Sequence, residues 1–180
     1  GQSKISNLVN KAVENGMKGM AITDHGVMFG IKEFADYCAG VNKKRKADGL
    51  EPFKPILGCE MYVARHRLQD KVKEHGDNSG YHLIVLAKNY NGYKNLIKLV
   101  SKSWMEGYYY RPRTDRVELE KYHEDLIVCS ACIAGEVPSK IIKDDLEGAR
   151  EACEWYHRVF GDDYYLELQR HEVKDPTILA

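Results

Sequence analysis

The sequence has no apolar run that approaches the length of a bilayer span, and no signal-like segment opens it. It also lacks an excess of either charge. Lys and Arg number 27 and Asp and Glu 27, a formal net charge of zero. That removes any global electrostatic case for nucleic acid or a membrane surface. There is no internal repeat and no low-complexity stretch. The cysteines lack a framework: there are 5, at Cys38, Cys59, Cys129, Cys132 and Cys153, an odd number. Such usage argues for a reducing, cytoplasmic setting, where a functional thiol is a ligand or nucleophile rather than half of a disulfide. "CSAC", Cys129 to Cys132, is a single CxxC without a second pair, so neither a zinc ribbon nor a thioredoxin motif is supported. The 180 residues suit one domain. With no initial Met and no clear stop at "DPTILA", the chain reads as a piece of something longer.

What is present is ordinary for a soluble globular protein, 43% hydrophobic and 30% charged. Periodicity separates the elements. "SKISNLVNKAVENG" puts Ile5, Leu8, Val9 and Val13 on one helical face, with Ser3 or Ser6 as cap and Gly16 as stop. "MKGMAIT" reads as a buried strand, and "FGIKEFADYCAGVNKKRKADG" as a helix with a basic last turn. "FKPILGCEMYVA" is strand-like, while "RHRLQDKVKEHGDNSG" has no apolar period and reads as a mobile surface loop. "YHLIVLA" is a strand, "NGYKNLIKLVSKSWMEG" a helix, "YYYRPRTD" a loop and "RVELEKYH" a short helix. "DLIVCSA" is a buried strand, two helices follow from "EVPSKII", and "DYYLELQ" is a last strand. Alternating strands and helices argue for βα units and a parallel sheet, either doubly wound or closed as a barrel.

In such folds reactive groups gather where strands end. Asp24 and His25 follow "MAIT", Glu60 follows "PILGC" and Cys132 follows "LIVCSA". His82 opens its strand instead, so it reaches the same rim only if that strand runs the other way. Imidazole, carboxylate and thiolate all bind divalent transition metals. Asp24 is either a ligand or the group that orients the His25 ring. The plain alternatives stay open: His25 as a turn residue, Glu60 as a surface ion pair, His82 as a satisfied core histidine, Cys132 as an inert buried thiol. Cys129, inside the apolar run, reads as core. His66, His75, His123 and His157 read as solvated. In "EGYYYRPRTD", Arg111 and Arg113 among Tyr108, Tyr109 and Tyr110 suggest a single-stranded nucleic-acid patch. The alternative is a structured loop whose tyrosines pack and whose arginines cap helix ends.

Together "TDHG", "GCE", "YHLIVLAKNYNGYKNLIKLVSKSWMEGYYYRPR", "SACIAGE" and "GDDYYLELQRH" resemble, in order, the PHP (polymerase and histidinol phosphatase) domains of bacterial DNA polymerase III alpha subunits. The resemblance implies a distorted (β/α)7, TIM-like barrel, present here as an incomplete part. It implies a cluster of divalent metals, Zn²⁺ or Mn²⁺ with Mg²⁺ as the further option, that hydrolyses phosphodiesters as a 3′→5′ exonuclease. By motif match the ligands are His25, Glu60, His82 and Cys132. The family's first HxH motif should precede Gly1 and its last D-x-H motif should follow Ala180, so several ligands lie outside this chain, which alone is expected to be inactive. DNA and replisome subunits are the implied partners, through the whole polymerase, and DNA synthesis belongs to another domain. The other implied roles are a metal-stabilised or inactive scaffold and, more remotely, a stand-alone phosphatase.

Overall fold

The computed structural model describes residues 3–71 and 79–169. Helix α1 (Ile5–Glu14) starts at Lys4 without a side-chain cap, so neither Ser3 nor Ser6 takes that role. Its other end is as expected: the N–H groups of Gly16 and Met17 return to the carbonyls of Val13 and Ala12. Strand β1 (Gly19–His25), helix α2 (Ile31–Ala47) and strand β2 (Lys54–Val63) follow. Then come β3 (Tyr81–Ala87), α3 (Tyr90–Met105), β4 (Arg113–Thr114), α4 (Arg116–Lys121) and β5 (Leu126–Cys129). The described part ends with α5 (Glu136–Ile142), α6 (Leu146–Phe160), a 3-10 turn at Gly161–Asp163 and β6 (Tyr164–Tyr165). The last strand is thus only two residues long, and β4 lies inside the segment expected to be all loop.

The sheet is mixed rather than parallel. Its order is β1-β2-β3-β5-β6, with β4 also on β2. The β1–β2, β2–β4 and β5–β6 pairs are parallel, whereas β2–β3 and β3–β5 are antiparallel. The expected parallel sheet fails at β3, which has no helix before it among the described residues after β2. The chain instead turns round and pairs Val63 with Tyr81. β4 continues the position β1 vacates: β1 ends at His25 opposite Glu60, and Arg113 and Thr114 then pair with Tyr62 and Val63.

Alternation decides which face is covered. Cys59, Met61, Val63, Leu83, Val85, Leu126 and Val128 share one face and pack with Leu96, Leu99, Trp155, Tyr156 and Phe160 of α3 and α6. Ile22 and Leu57, on the same face, pack with Val9, Phe34, Cys38 and Phe53 under α1 and α2. Ile56, Glu60, His82, Ile84, Leu86, Ile127 and Cys129 point the other way and are only partly buried. Cys129 is therefore not in the main core, contrary to its place in an apolar run. The fold is α/β with helices against one sheet face, which is not the doubly wound arrangement.

The polar segment after β2 also differs from expectation. Leu68 is fully buried. Its N–H and Arg67 Nε donate to Asp115 Oδ2 at 2.9 and 2.7 Å, and Arg113 Nη2 donates to the carbonyls of Leu68 and Asp70 at 3.2 and 2.9 Å. That portion is a fastened strap. His75 lies outside the described residues, as do 72–78. No helix among the described residues is long and apolar enough to cross a membrane.

Candidate metal centre

The antiparallel run of β3 removes the one exception among the candidate ligands. Because β3 opens where β1 and β2 end, His82 faces Tyr62 across the ladder, and Glu60 lies opposite His25 on one side and Ile84 on the other. Residues paired this way share a face, so His25, Glu60 and His82 all point to the half-open side. His82 Nδ1 lies 2.8 Å from Glu60 Oε1, and His25 Nε2 lies 3.4 Å from Glu60 Oε2. Cys132 Sγ lies 3.6 Å from His82 Nδ1. Four donors from three strands and one loop therefore converge, and of the three strand residues Glu60 is the least exposed at 17% and His25 the most at 70%.

Local structure holds each donor. Gly26, directly after His25, has φ +66 and donates its N–H to the Glu60 carbonyl at 2.8 Å. A side chain there would meet Pro112 at 2.7 Å, and its carbonyl accepts the Trp104 indole N–H at 2.8 Å. On the other side His82 N–H donates to the Ala134 carbonyl at 3.0 Å and Gly135 N–H to the Cys132 carbonyl at 2.8 Å. This short turn sets Cys132 beside His82.

Asp24 does not orient the His25 ring. Neighbouring strand residues point to opposite faces, and Asp24 Oδ2 accepts the Gly30 N–H at 3.0 Å, bracing the entry to α2. Arg113 does not face solvent. It is fully buried, its Nε donates to the Gly107 carbonyl at 3.2 Å, and its guanidinium sits over the Tyr109 ring, 5.2 Å from the centroid. A phosphate contact at that position would require the strap to come apart, so Arg113 leaves the nucleic-acid patch. Arg111 remains exposed, 5.6 Å over the Tyr62 ring. His66 and His157 are exposed, and His123 lies just past α4 with Nδ1 2.7 Å from the Glu120 carbonyl.

Tyr62 is the neighbour that sequence reading missed. Its ring meets the His82 ring edge-on at 5.2 Å. Period-two spacing from Glu60 gives its face, but the contact needs the β2–β3 register. Burial pushes the Tyr62 phenol up, and Glu60 adds to this while Arg111 opposes it. Beneath the site, burial pushes the Cys59 thiol up to about 12. Cys59 lies in the core on the opposite face of the sheet from the site, its Sγ donating to the Asp24 carbonyl at 3.4 Å.

The donor chemistry of two imidazoles, a carboxylate and a thiol suits a transition-metal cation. The contacts, however, run between the side chains themselves. Among the described residues no three His, Cys, Asp or Glu side chains are arranged as a formed metal site.

A family profile described as PHP domain matches residues 1–171. The chain belongs to the PHP domain family. It is similar to the DNA polymerase III subunit alpha of Borreliella burgdorferi, 46% identical over 99% of this chain and 15% of that protein. The corresponding figures are 40%, 100% and 15% for the Treponema pallidum subunit and 38%, 99% and 15% for that of Aquifex aeolicus. The chain spans about 15% of the length of these curated relatives. In this PHP domain Glu60 contacts both His25 and His82, and Cys132 lies beside His82.

Proposed function

We propose that this PHP domain is part of a bacterial DNA polymerase III alpha subunit and that its rim site hydrolyses phosphodiesters at a DNA strand end, as a 3′→5′ exonuclease. The observation that carries this reading is the convergence of His25, Glu60, His82 and Cys132 at 2.8–3.6 Å from separated parts of the chain. We read the one-sided sheet as most of a distorted (β/α)7 barrel. Half-exposed Ile56, Ile84, Leu86 and Ile127 are what the inner face of a barrel presents before its last strands cover it. His25, Glu60, His82 and Cys132 would hold the cations, and the mixed N, O and S set favours Zn²⁺ or Mn²⁺ over Mg²⁺. When bound, such cations supply positive charge to the phosphoryl oxygens and activate the attacking water. The chain's own part is positional: Glu60 fixes two imidazoles at once, and Tyr62 holds the His82 ring from the side. DNA and replisome subunits in the cytoplasm are the partners this reading implies.

The direct Glu60–His82 contact of 2.8 Å also favours a second reading, a self-satisfied polar network in a domain that serves as scaffold. Elemental analysis of the full-length protein, beside Glu60→Ala and His82→Ala, separates the two. Stoichiometric metal and release of nucleotides from a labelled strand, both lost in the variants, support hydrolysis. Metal that raises the melting temperature with no nucleotide release supports the scaffold.

A further inference from the structure

The aromatic segment from the last turn of α3 to β4 is built onto the same rim and is not used by the chemistry above. Trp104, Tyr108 and Tyr110 leave 46%, 48% and 62% of their surface exposed. The Trp104 and Tyr108 rings stack at 5.4 Å and 23°, and Tyr110 meets Tyr109 edge-on at 4.8 Å. Tyr110 has φ 58, a region that disfavours a bulky L side chain, yet its ring is turned outward into water. The Trp104–Gly26 hydrogen bond and the packing of Pro112 on Gly26 tie this segment to the residue after His25. Arg111 bridges the remaining distance, because its guanidinium covers the Tyr62 ring that touches His82. Lys102 lies 3.5 Å from Glu106 and 3.0 Å from Glu118, and Arg111 is an exposed cation beside these rings.

We propose that Trp104, Tyr108 and Tyr110 are a stacking platform for the unpaired bases of a single-stranded nucleic acid, with Arg111 taking a backbone phosphate on the way to the Glu60–His82 rim. Exposed rings suit this occupant because every base has a π face, so stacking needs no sequence. One cation placed between rings and rim matches the alternation of bases and phosphates. The proposal deepens the hydrolytic reading and rests on it for the fate of the strand, not for its binding.

The test measures binding of a 5′-fluorescein oligothymidylate of about a dozen nucleotides to the full chain by anisotropy, in EDTA so that no hydrolysis intervenes. Tyr108→Ala and Tyr110→Ala each weaken binding by about tenfold, and Arg111→Gln lowers the salt dependence, log K against log salt, by about 0.7. 4-Thiothymidine cross-links map to residues 104–111. Unchanged melting curves show that the variants fold. Affinities within twofold of the parent, equal binding of duplex, or no binding by the parent overturn the platform. If nucleotide release persists with those results, the hydrolytic reading survives alone. If the variants lose binding and the metal-loaded parent releases no nucleotide, the platform survives alone.

Discussion

Replacing Gly135 by alanine tests whether the turn after β5 builds the site. Gly135 has φ −66 and ψ 161, which any residue adopts, so the glycine is required by proximity and not by conformation. An added Cβ would stand 2.0 Å from the Ser130 carbonyl oxygen and 3.1 Å from that of Cys132. Both are backbone atoms, so relief requires the turn to open by more than the width of a hydrogen bond's tolerance. Opening it endangers Gly135 N–H to Cys132 O, His82 N–H to Ala134 O and the first α5 bond, Ser139 N–H to Gly135 O. At about 1 kcal/mol each, with about 1–3 kcal/mol of packing strain, the loss is about 4–6 kcal/mol. That is a large share of the roughly 5–15 kcal/mol typical of a domain. Urea denaturation followed by circular dichroism reads the stability, and Ellman's reagent reads release of Cys132 from His82. Gly40→Ala is the control: it lies inside α2 with nothing within 4 Å of the added atom, so it gains about 1 kcal/mol. A Gly135→Ala protein within about 1 kcal/mol of the parent, with Cys132 no more reactive, would refute the argument.

Two further outcomes follow from buried groups. Asp115→Ala removes the α4 cap and strands the buried Leu68 N–H, costing about 3 kcal/mol and exposing the strap to trypsin at Arg67. Asp115→Asn keeps an acceptor and loses less, and equal digestion of all three proteins would count against the strap. Stability falls as pH rises from 9 toward 12, because the Cys59 thiol is raised from 9.0 to about 12 and the Tyr156 and Tyr164 phenols are raised as well. A raised group keeps its full contribution below its unfolded pKa and loses it as pH climbs to the folded one. For Cys59 this amounts to about 1.4 kcal/mol per pH unit, on the order of 4 kcal/mol at most. Cys59→Ala should flatten that slope in denaturation curves, and parallel slopes would remove the assignment.

The helices and most strands were legible because burial in this chain follows simple periods. Val9 with Ala12, and Leu96 with Leu99, repeat at helical spacing, while Leu83 and Val85 alternate with half-exposed Ile84 and Leu86. Strand direction was not legible, since nothing in "YHLIVLA" distinguishes a strand entering from above from one entering from below. His82 looked misplaced for that reason alone. Asp24 and Arg113 misled because a carboxylate beside a histidine and an arginine among tyrosines have the same composition in a site and in a brace. Only the partners, Gly30 for one and the strap carbonyls for the other, tell them apart.

The Trp104–Gly26 hydrogen bond makes the protein its own optical probe. The sequence has 2 tryptophans, and Trp155 is 7% exposed, with Arg116 4.8 Å over its ring. Trp104 is half in water, with its indole N–H fixed to the carbonyl one residue beyond His25. Any event that tightens or loosens that turn changes the polarity around one indole and leaves the other alone. The red side of the emission spectrum therefore reports on the rim without a label.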